Sequence, residues 1–239
     1  MQFSSNQIAV VTGASSGVGK AIAFAFAAEG ASLALVGRNL SALEALARQV
    51  PPGAGEVRCY VADLTQGAAL RHFTGQVLAD FGRVDFLVHC AAILARGRMA
   101  VATVEDFDLQ FACNVRAPFV INQQFLPSLL KHQGAVIFIN SSAGLGAKPD
   151  MGQYAATKHA LKAIADCLRQ EVAASGLRVL SIFLGRTATP MQEALCHSEG
   201  KTYDPTLYIQ PSDVAQSVLA TLKLPRSAEI TDLTLRPTR

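Results

Sequence analysis

The chain has little charge: 16% of its 239 residues are Asp, Glu, Lys or Arg, against 50% hydrophobic. Together with a positive mean hydropathy, this balance excludes a solvated, disordered chain and predicts a compact one with a sizeable core. Basic blocks are absent. The net charge of +3 is spread thinly, which leaves no footprint for nucleic acid or for an anionic membrane. Paired cysteine spacings are absent as well. Cys59, Cys90, Cys113, Cys167 and Cys196 are odd in number and scattered, which argues against a disulfide framework or a zinc site, so no metal is expected. The start, "MQFSSNQIAVV", has neither a basic region nor a long apolar core, and the apolar run at 21–28 is far too short to cross a bilayer. The expectation is a soluble, cytoplasmic protein.

What is present is alternation. Short apolar runs at 7–12, 32–36, 57–61, 84–88, 135–140, 178–183 and 229–234 read as strands. Between them, 18–29, 40–49, 66–80, 104–130, 152–174 and 212–222 have helical periodicity. Strand and helix in turn predict an α/β fold, a doubly wound parallel sheet of about seven strands covered on both faces. No repeat or linker divides the chain, so one domain is expected over 1–239. The stretch at about 184–211 lacks clear periodicity, and a loop of that length predicts a substrate lid around 186–210.

In "VVTGASSGVGK", Gly13, Gly17 and Gly19 follow the first strand and open the first helix. A helix N-terminus offers unpaired N–H groups and partial positive charge, so it attracts phosphate. Glycine lets the backbone turn sharply and lets a pyrophosphate approach without meeting a Cβ. The expectation is that side chains are missing here because a dinucleotide needs the space; a turn needed only for tight strand–helix packing is the alternative.

"TGASSGVG", with its G-x-x-x-G-x-G spacing, resembles the nucleotide-binding signature of the classical short-chain dehydrogenase/reductase family, and family-like segments continue to "QPSDVAQSVL". The resemblance implies a Rossmann fold in which Thr12, Gly13, Ser15, Ser16, Gly17, Val18 and Gly19 cradle the nucleotide, with Asp63 and Leu64 of "VADLT" near the adenine. Asp63 also suits an N-cap for the following helix. An NAD-preferring enzyme carries an acidic residue at the end of the second strand. Here Gly37 leaves space and Arg38 can pair with a 2′-phosphate, which predicts NADP(H).

"QYAATKHAL" puts Tyr154 and Lys158 four residues apart on one helix face. A phenol is a poor acid–base catalyst near neutrality, and a neighbouring ammonium is expected to bring its pKa toward working pH. The resemblance makes Tyr154 the proton donor and gives Lys158 the nicotinamide ribose as well. It also implies a catalytic serine thirteen residues before the tyrosine, which is Ser141 in "INSSAG", with Ser142 in support. Asn114 in "CNVRAPF" matches the family's helix asparagine, which holds a water beside the lysine. A buried asparagine needs partners, so a role at a local helix distortion is compatible with that one.

Two segments depart from the family. Its N-N-A-G is here "HCAA", where Ala91 is kept for backbone contact with the cofactor and His89 is expected to be structural. Its Pro-Gly is here Leu184-Gly185, which predicts a looser approach to the nicotinamide, with Gly185, Thr187 and Thr189 binding the carboxamide. The function implied is an NADP(H)-dependent carbonyl reductase acting on a small-molecule carbonyl or alcohol, with a homodimer or homotetramer common in the family. A 3-oxoacyl-thioester reductase of lipid synthesis and a non-catalytic NADP(H)-binding sensor or scaffold are the alternatives. Leu145, Met151, Met191, Leu195 and Tyr208 are candidates for an apolar substrate pocket, or for ordinary packing.

Overall fold

The sheet is built from runs that are buried on both faces. In the computed structural model, which describes residues 3–238, β1 (Ile8–Thr12) has every residue buried. Ala9 and Val11 face one core while Val10 faces the other, as the two-residue period of a strand requires. The remaining strands are β2 (Ser32–Gly37), β3 (Val57–Val61), β4 (Phe86–His89), β5 (Ala135–Ser141), β6 (Arg178–Leu184) and β7 (Asp232–Leu235). They form a parallel sheet in the order β3-β2-β1-β4-β5-β6-β7. This is the doubly wound α/β architecture, and its crevice lies where the order reverses, between β1 and β4.

The helices are α1 (Gly17–Ala28), α2 (Leu40–Ala47), α3 (Gly67–Phe81), α4 (Val104–Phe111), α5 (Ala117–Lys131), α6 (Gly152–Glu171), α7 (Pro190–Ser198) and α8 (Pro211–Leu222). On one face Ile22 and Phe26 of α1 share a core with Val214, Val218 and Leu222 of α8. On the other, Leu70, Phe73 and Val77 of α3 meet Ile121, Phe125 and Leu129 of α5 and Leu161, Ala165 and Leu168 of α6. The spacings of three and four are those of a core-facing helical stripe.

Two expectations are corrected here. The single helix over 104–130 is broken by a π turn at Ala112–Arg116, where an inserted residue re-aims the side chains around Asn114. The stretch around 186–210 is not a bare loop: it contains α7, capped by the Thr189 side chain, and a 3-10 turn at Pro205–Leu207. Its ends meet, with Ala188 N–H donating to Ile209 C=O (2.8 Å) and Ile209 N–H to Arg186 C=O (3.1 Å). Among the described residues no helix is long and apolar enough to cross a membrane, and all five cysteines are free.

Candidate active site

The turn between β1 and α1 explains its own glycines. Gly13 has φ +67°, and a Cβ there would stand 2.8 Å from Ala91 Cα. Gly17 has φ +53° and would meet Thr189 Cγ2 at 3.0 Å, while a Cβ on Gly19 would lie 2.3 Å from the Gly13 carbonyl oxygen. The missing side chains thus serve the chain's own close approaches, as the tight strand–helix turn of the alternative reading requires. What the turn does offer is an open helix end. Ser16, the exposed N-cap of α1, makes no side-chain cap bond, and the first turn carries no acidic residue. The Asn39, Thr103 and Thr189 side chains cap α2, α4 and α7, whereas α3, α5 and α6 are as open as α1; what sets α1 apart is its place at the β1–β4 crevice. Half-buried Ser15 and buried Val18 flank this end. An uncapped, acid-free N-terminus fits an anion.

Thr12 is spent on the scaffold. It is 1% exposed; its hydroxyl donates to Val88 C=O (3.1 Å) and accepts from the N–H groups of Cys90 (3.1 Å) and Ala91 (3.3 Å). Its effect on a nucleotide would pass through the placement of Ala91. His89 is equally structural: it is buried, stacks on Phe138 with centroids 5.0 Å apart, and meets Asn122 Oδ1 through Nε2 at 3.0 Å. Burial pushes its pKa down to about 4, so it stays neutral at physiological pH.

At the edge of the crevice, Arg38 is exposed directly after Gly37, which ends β2. Asp63 does not cap α3, whose N-cap is Gln66. Its Oδ1 instead accepts from Thr65 N–H (2.9 Å) and Thr65 Oγ1 (2.7 Å). These bonds, with a smaller contribution from the Arg38 charge, hold its carboxyl below the usual range. Leu64 beside it is buried.

The ends of β5 and α6 bring Ser141, Tyr154 and Lys158 together. Ser141 ends β5, with its hydroxyl close enough to the Tyr154 phenol to favour the phenolate. The Ser141 hydroxyl also accepts Ala143 N–H at 3.1 Å. Ser142 is exposed and opens the following 3-10 turn. Lys158 lies 5.7 Å from the Tyr154 ring centroid and donates to Ile139 C=O at 3.0 Å. Burial dominates both pKa values. The phenol is pushed up to about 12, with the nearby Ser141 hydroxyl pulling the other way, and the ammonium is brought down to about 8. The expected lowering of the phenol by Lys158 is not seen: desolvation of a phenolate outweighs an ammonium that is bonded to a backbone carbonyl. The Tyr154 phenol is thus held protonated near neutral pH.

Asn114 sits in the π turn, 1% exposed. Its Oδ1 accepts Ile93 N–H (2.8 Å), and its Nδ2 donates to Ile93 C=O (2.8 Å) and Thr157 Oγ1 (3.1 Å). All of its side-chain groups are thereby engaged. The segment after β6 is fixed, not loose. Leu184 pairs with both Ser141 and Leu235, and Gly185 N–H donates to Leu235 C=O at 2.9 Å. The Thr187 hydroxyl donates to Gly185 C=O (3.1 Å) and the Thr189 hydroxyl to Thr187 C=O (3.3 Å). Of the apolar pocket candidates, Leu145 and Met191 are exposed and Tyr208 is tied to Cys196 Sγ at 3.2 Å.

The sequence reading missed Asn140. Its Oδ1 accepts Ser141 N–H (2.7 Å) and its Nδ2 donates to Lys158 C=O (3.1 Å), so one side chain sets serine and lysine relative to each other. A polar residue closing the apolar run "AVIFIN" was the available signal. A Cβ on Gly144 would stand 2.7 Å from Asn140 Oδ1, so that glycine is part of the same joint.

The profile of the short chain dehydrogenase family matches residues 7–200. An uncharacterized oxidoreductase of Staphylococcus epidermidis is 33% identical over 232 residues, 97% of each chain. The glycine betaine reductase of Emericella nidulans is 32% identical over 98% of this chain, which spans 19% of that longer protein. Among solved structures, an alcohol dehydrogenase from the archaeon Thermococcus sibiricus, complexed with 5-hydroxy-NADP, superposes with a TM-score of 0.88 at 28% identity over 97% of both chains. A metagenomic short-chain oxidoreductase in complex with NADP gives 0.84 at 29% identity over 98% of both.

Proposed function

The chain belongs to the short-chain dehydrogenase family of oxidoreductases, and from that premise we propose that it is an NADP(H)-dependent carbonyl reductase, reversible as an alcohol dehydrogenase. One observation carries the reading: the Ser141 hydroxyl stands beside the Tyr154 phenol, itself one helical turn from Lys158, at the same end of the parallel sheet as the nucleotide turn.

The residues present fit the cofactor. The open N-terminus of α1 suits its pyrophosphate. Arg38 after Gly37 suits a 2′-phosphate, with no carboxylate there to repel it. Asp63 and Leu64 would lie by the adenine, Ala91 by the ribose–nicotinamide half, and Gly185, Thr187 and Thr189 by the carboxamide. That two superposing structures hold NADP or a derivative of it supports the same choice. When bound, the nicotinamide supplies or accepts the hydride.

The chain's own residues handle the oxygen. Ser141 and Tyr154 would hold the substrate oxygen between two hydroxyls, which aligns the carbonyl carbon. Tyr154, kept protonated by burial, donates its proton as the oxygen gains charge. Lys158 would bind the ribose and return a proton toward Tyr154. Because Asn114's side chain is engaged, a relay through it would use its backbone carbonyl. A homodimer or homotetramer is part of this reading, supported by exposed Phe107, Leu109 and Phe119 on α4 and α5. NADPH oxidation against ketones, aldehydes and acyl thioesters tests it, separating the carbonyl reductase from a thioester reductase and from a nucleotide sensor without turnover.

A further inference from the structure

The segment at 188–208 has little to hold it in place. Only Gln192 and Cys196 are buried within it. Its start rests on the turn after β1, where a Cβ on Gly17 would stand 3.0 Å from Thr189 Cγ2. Among the described residues one hydrogen bond ties it to the rest of the chain: Arg96 Nη1, in the segment after β4, donates to Glu199 Oε1 at 3.1 Å. Its other hydrogen bonds run among its own residues or to its two stalks, 186–187 and 209–210. The turn after β1 and the segment after β4 are the two walls of the crevice, so 188–208 reaches from one wall to the other.

The two partners stand on unequal ground. Arg96 is braced on both sides: Ala95 N–H donates to Gln110 Oε1 (3.1 Å) and Gly97 N–H to Asp150 C=O (3.0 Å). Glu199 follows α7 and belongs to the weakly held unit. Its carboxylate, 13% exposed, also takes Arg186 Nη2 at 3.0 Å on both oxygens and Lys201 Nζ at 2.8 Å. Arg186 and Lys201 tie Glu199 within 186–210, whereas Arg96 ties it to the opposite wall. A charge-assisted bond largely shielded from water is stronger than an exposed ion pair. A segment with little apolar burial opens locally at low cost, so this one bond weighs heavily between shut and open.

We propose that 188–208 is a gate over the crevice, latched shut by Arg96 and Glu199, and that breaking this bond is the step that admits and releases what the site binds. What it binds rests on the reductase reading; the latch itself is made by the chain's own residues and acts whether or not the site is filled. Both residues position the gate and take no part in the proton transfer. Because the latch favours the shut form in both cases, weakening it should raise entry and exit rates together and leave the equilibrium affinity nearly as it was.

The test is Arg96→Met, which keeps the side-chain stem and removes the guanidinium. Glu199 retains Arg186 and Lys201 in this variant, so no carboxylate is left unpaired. Hydrogen exchange read by mass spectrometry over 190–208 should run about 3- to 10-fold faster, with peptides of β5 and α6 unchanged. Stopped-flow fluorescence should show NADPH association and dissociation both faster by a similar factor, with Kd within about twofold of the natural value. Arg96→Lys, which keeps a cation in reach, should restore most of the protection. Lys201→Met removes a Glu199 partner inside the gate and should change neither readout. Natural exchange over 190–208 in Arg96→Met, an equally large effect of Lys201→Met, or faster NADPH release with association unchanged would overturn the latch. If Arg96→Met does not fold, Glu199→Ala, which cuts the same bond from the gate side, is judged by the same readouts. A natural protein that binds no NADPH would refute the cofactor reading, and hydrogen exchange would then decide the latch alone.

Discussion

Asn114 grips Ile93 by both backbone groups, its Oδ1 accepting the N–H and its Nδ2 donating to the C=O, each at 2.8 Å. The π turn aims the asparagine at this target, and the bond holds the segment leading from β4 to Arg96 and Gly97. Asn114→Ala would strip partners from two backbone groups and from Thr157 Oγ1. A loss of about 2–4 kcal/mol is expected, seen as a Tm lower by roughly 5–10 °C in thermal unfolding. An unchanged Tm would show that the clamp is dispensable.

Cofactor choice is expected to rest on Arg38. Arg38→Ala should weaken NADPH binding by about 1.5–3 kcal/mol while NADH binding barely moves. Gly37→Asp should shift preference toward NADH, since a Cβ there meets only the flexible Leu43 side chain at 3.3 Å. Fluorescence titration with both nucleotides checks this; tighter NADH binding by the natural protein would refute it.

The two serines should separate cleanly. Ser141→Ala removes the hydroxyl beside Tyr154 and should abolish most turnover with NADPH affinity kept. Exposed Ser142→Ala should cost little. Steady-state kinetics of the two variants decides, and the reverse ranking would reassign the site.

The pH profile follows from burial. Lys158 loses its proton as pH rises through about 8, while the Tyr154 phenol keeps its proton to about 12. The thiols nearby are held near 12 (Cys90) and 11 (Cys113), and His89 near 4. None of these four titrates between pH 5 and about 10, so Lys158 is the group that changes charge. For reduction, kcat/KM should therefore fall above about pH 8, and Lys158→Met, slower throughout and weaker for NADPH, should lose that inflection. A rise toward pH 10 would mean that the phenolate is the working form.

Much of this was legible in the sequence, for physical reasons. Strands buried on both faces leave unbroken apolar runs, so β1 to β6 appear close to where the runs predict. β7 is displaced to Asp232–Leu235 because its residues are half exposed and its pattern is weak. α7 escaped because nine residues burying only Gln192 and Cys196 leave no apolar stripe, although Thr189 and Pro190 mark its start. The π turn has no local signature. Motif spacing brought Ser141, Tyr154 and Lys158 to one place, whereas the upward shift of Tyr154 depends on burial, which only the packed fold supplies. Thr12 and the glycines also hold the chain's own backbone in place, a role visible only once their partners in the fold are seen.

The central claim is that Tyr154 delivers the proton, and Tyr154→Phe tests it most directly. The variant keeps the ring and its packing and removes only the hydroxyl. NADPH-dependent reduction of a carbonyl turned over by the natural protein should fall by about 10²- to 10⁴-fold, with Tm and NADPH affinity unchanged. A Tyr154→Phe protein that reduces that carbonyl at the natural rate would contradict the account.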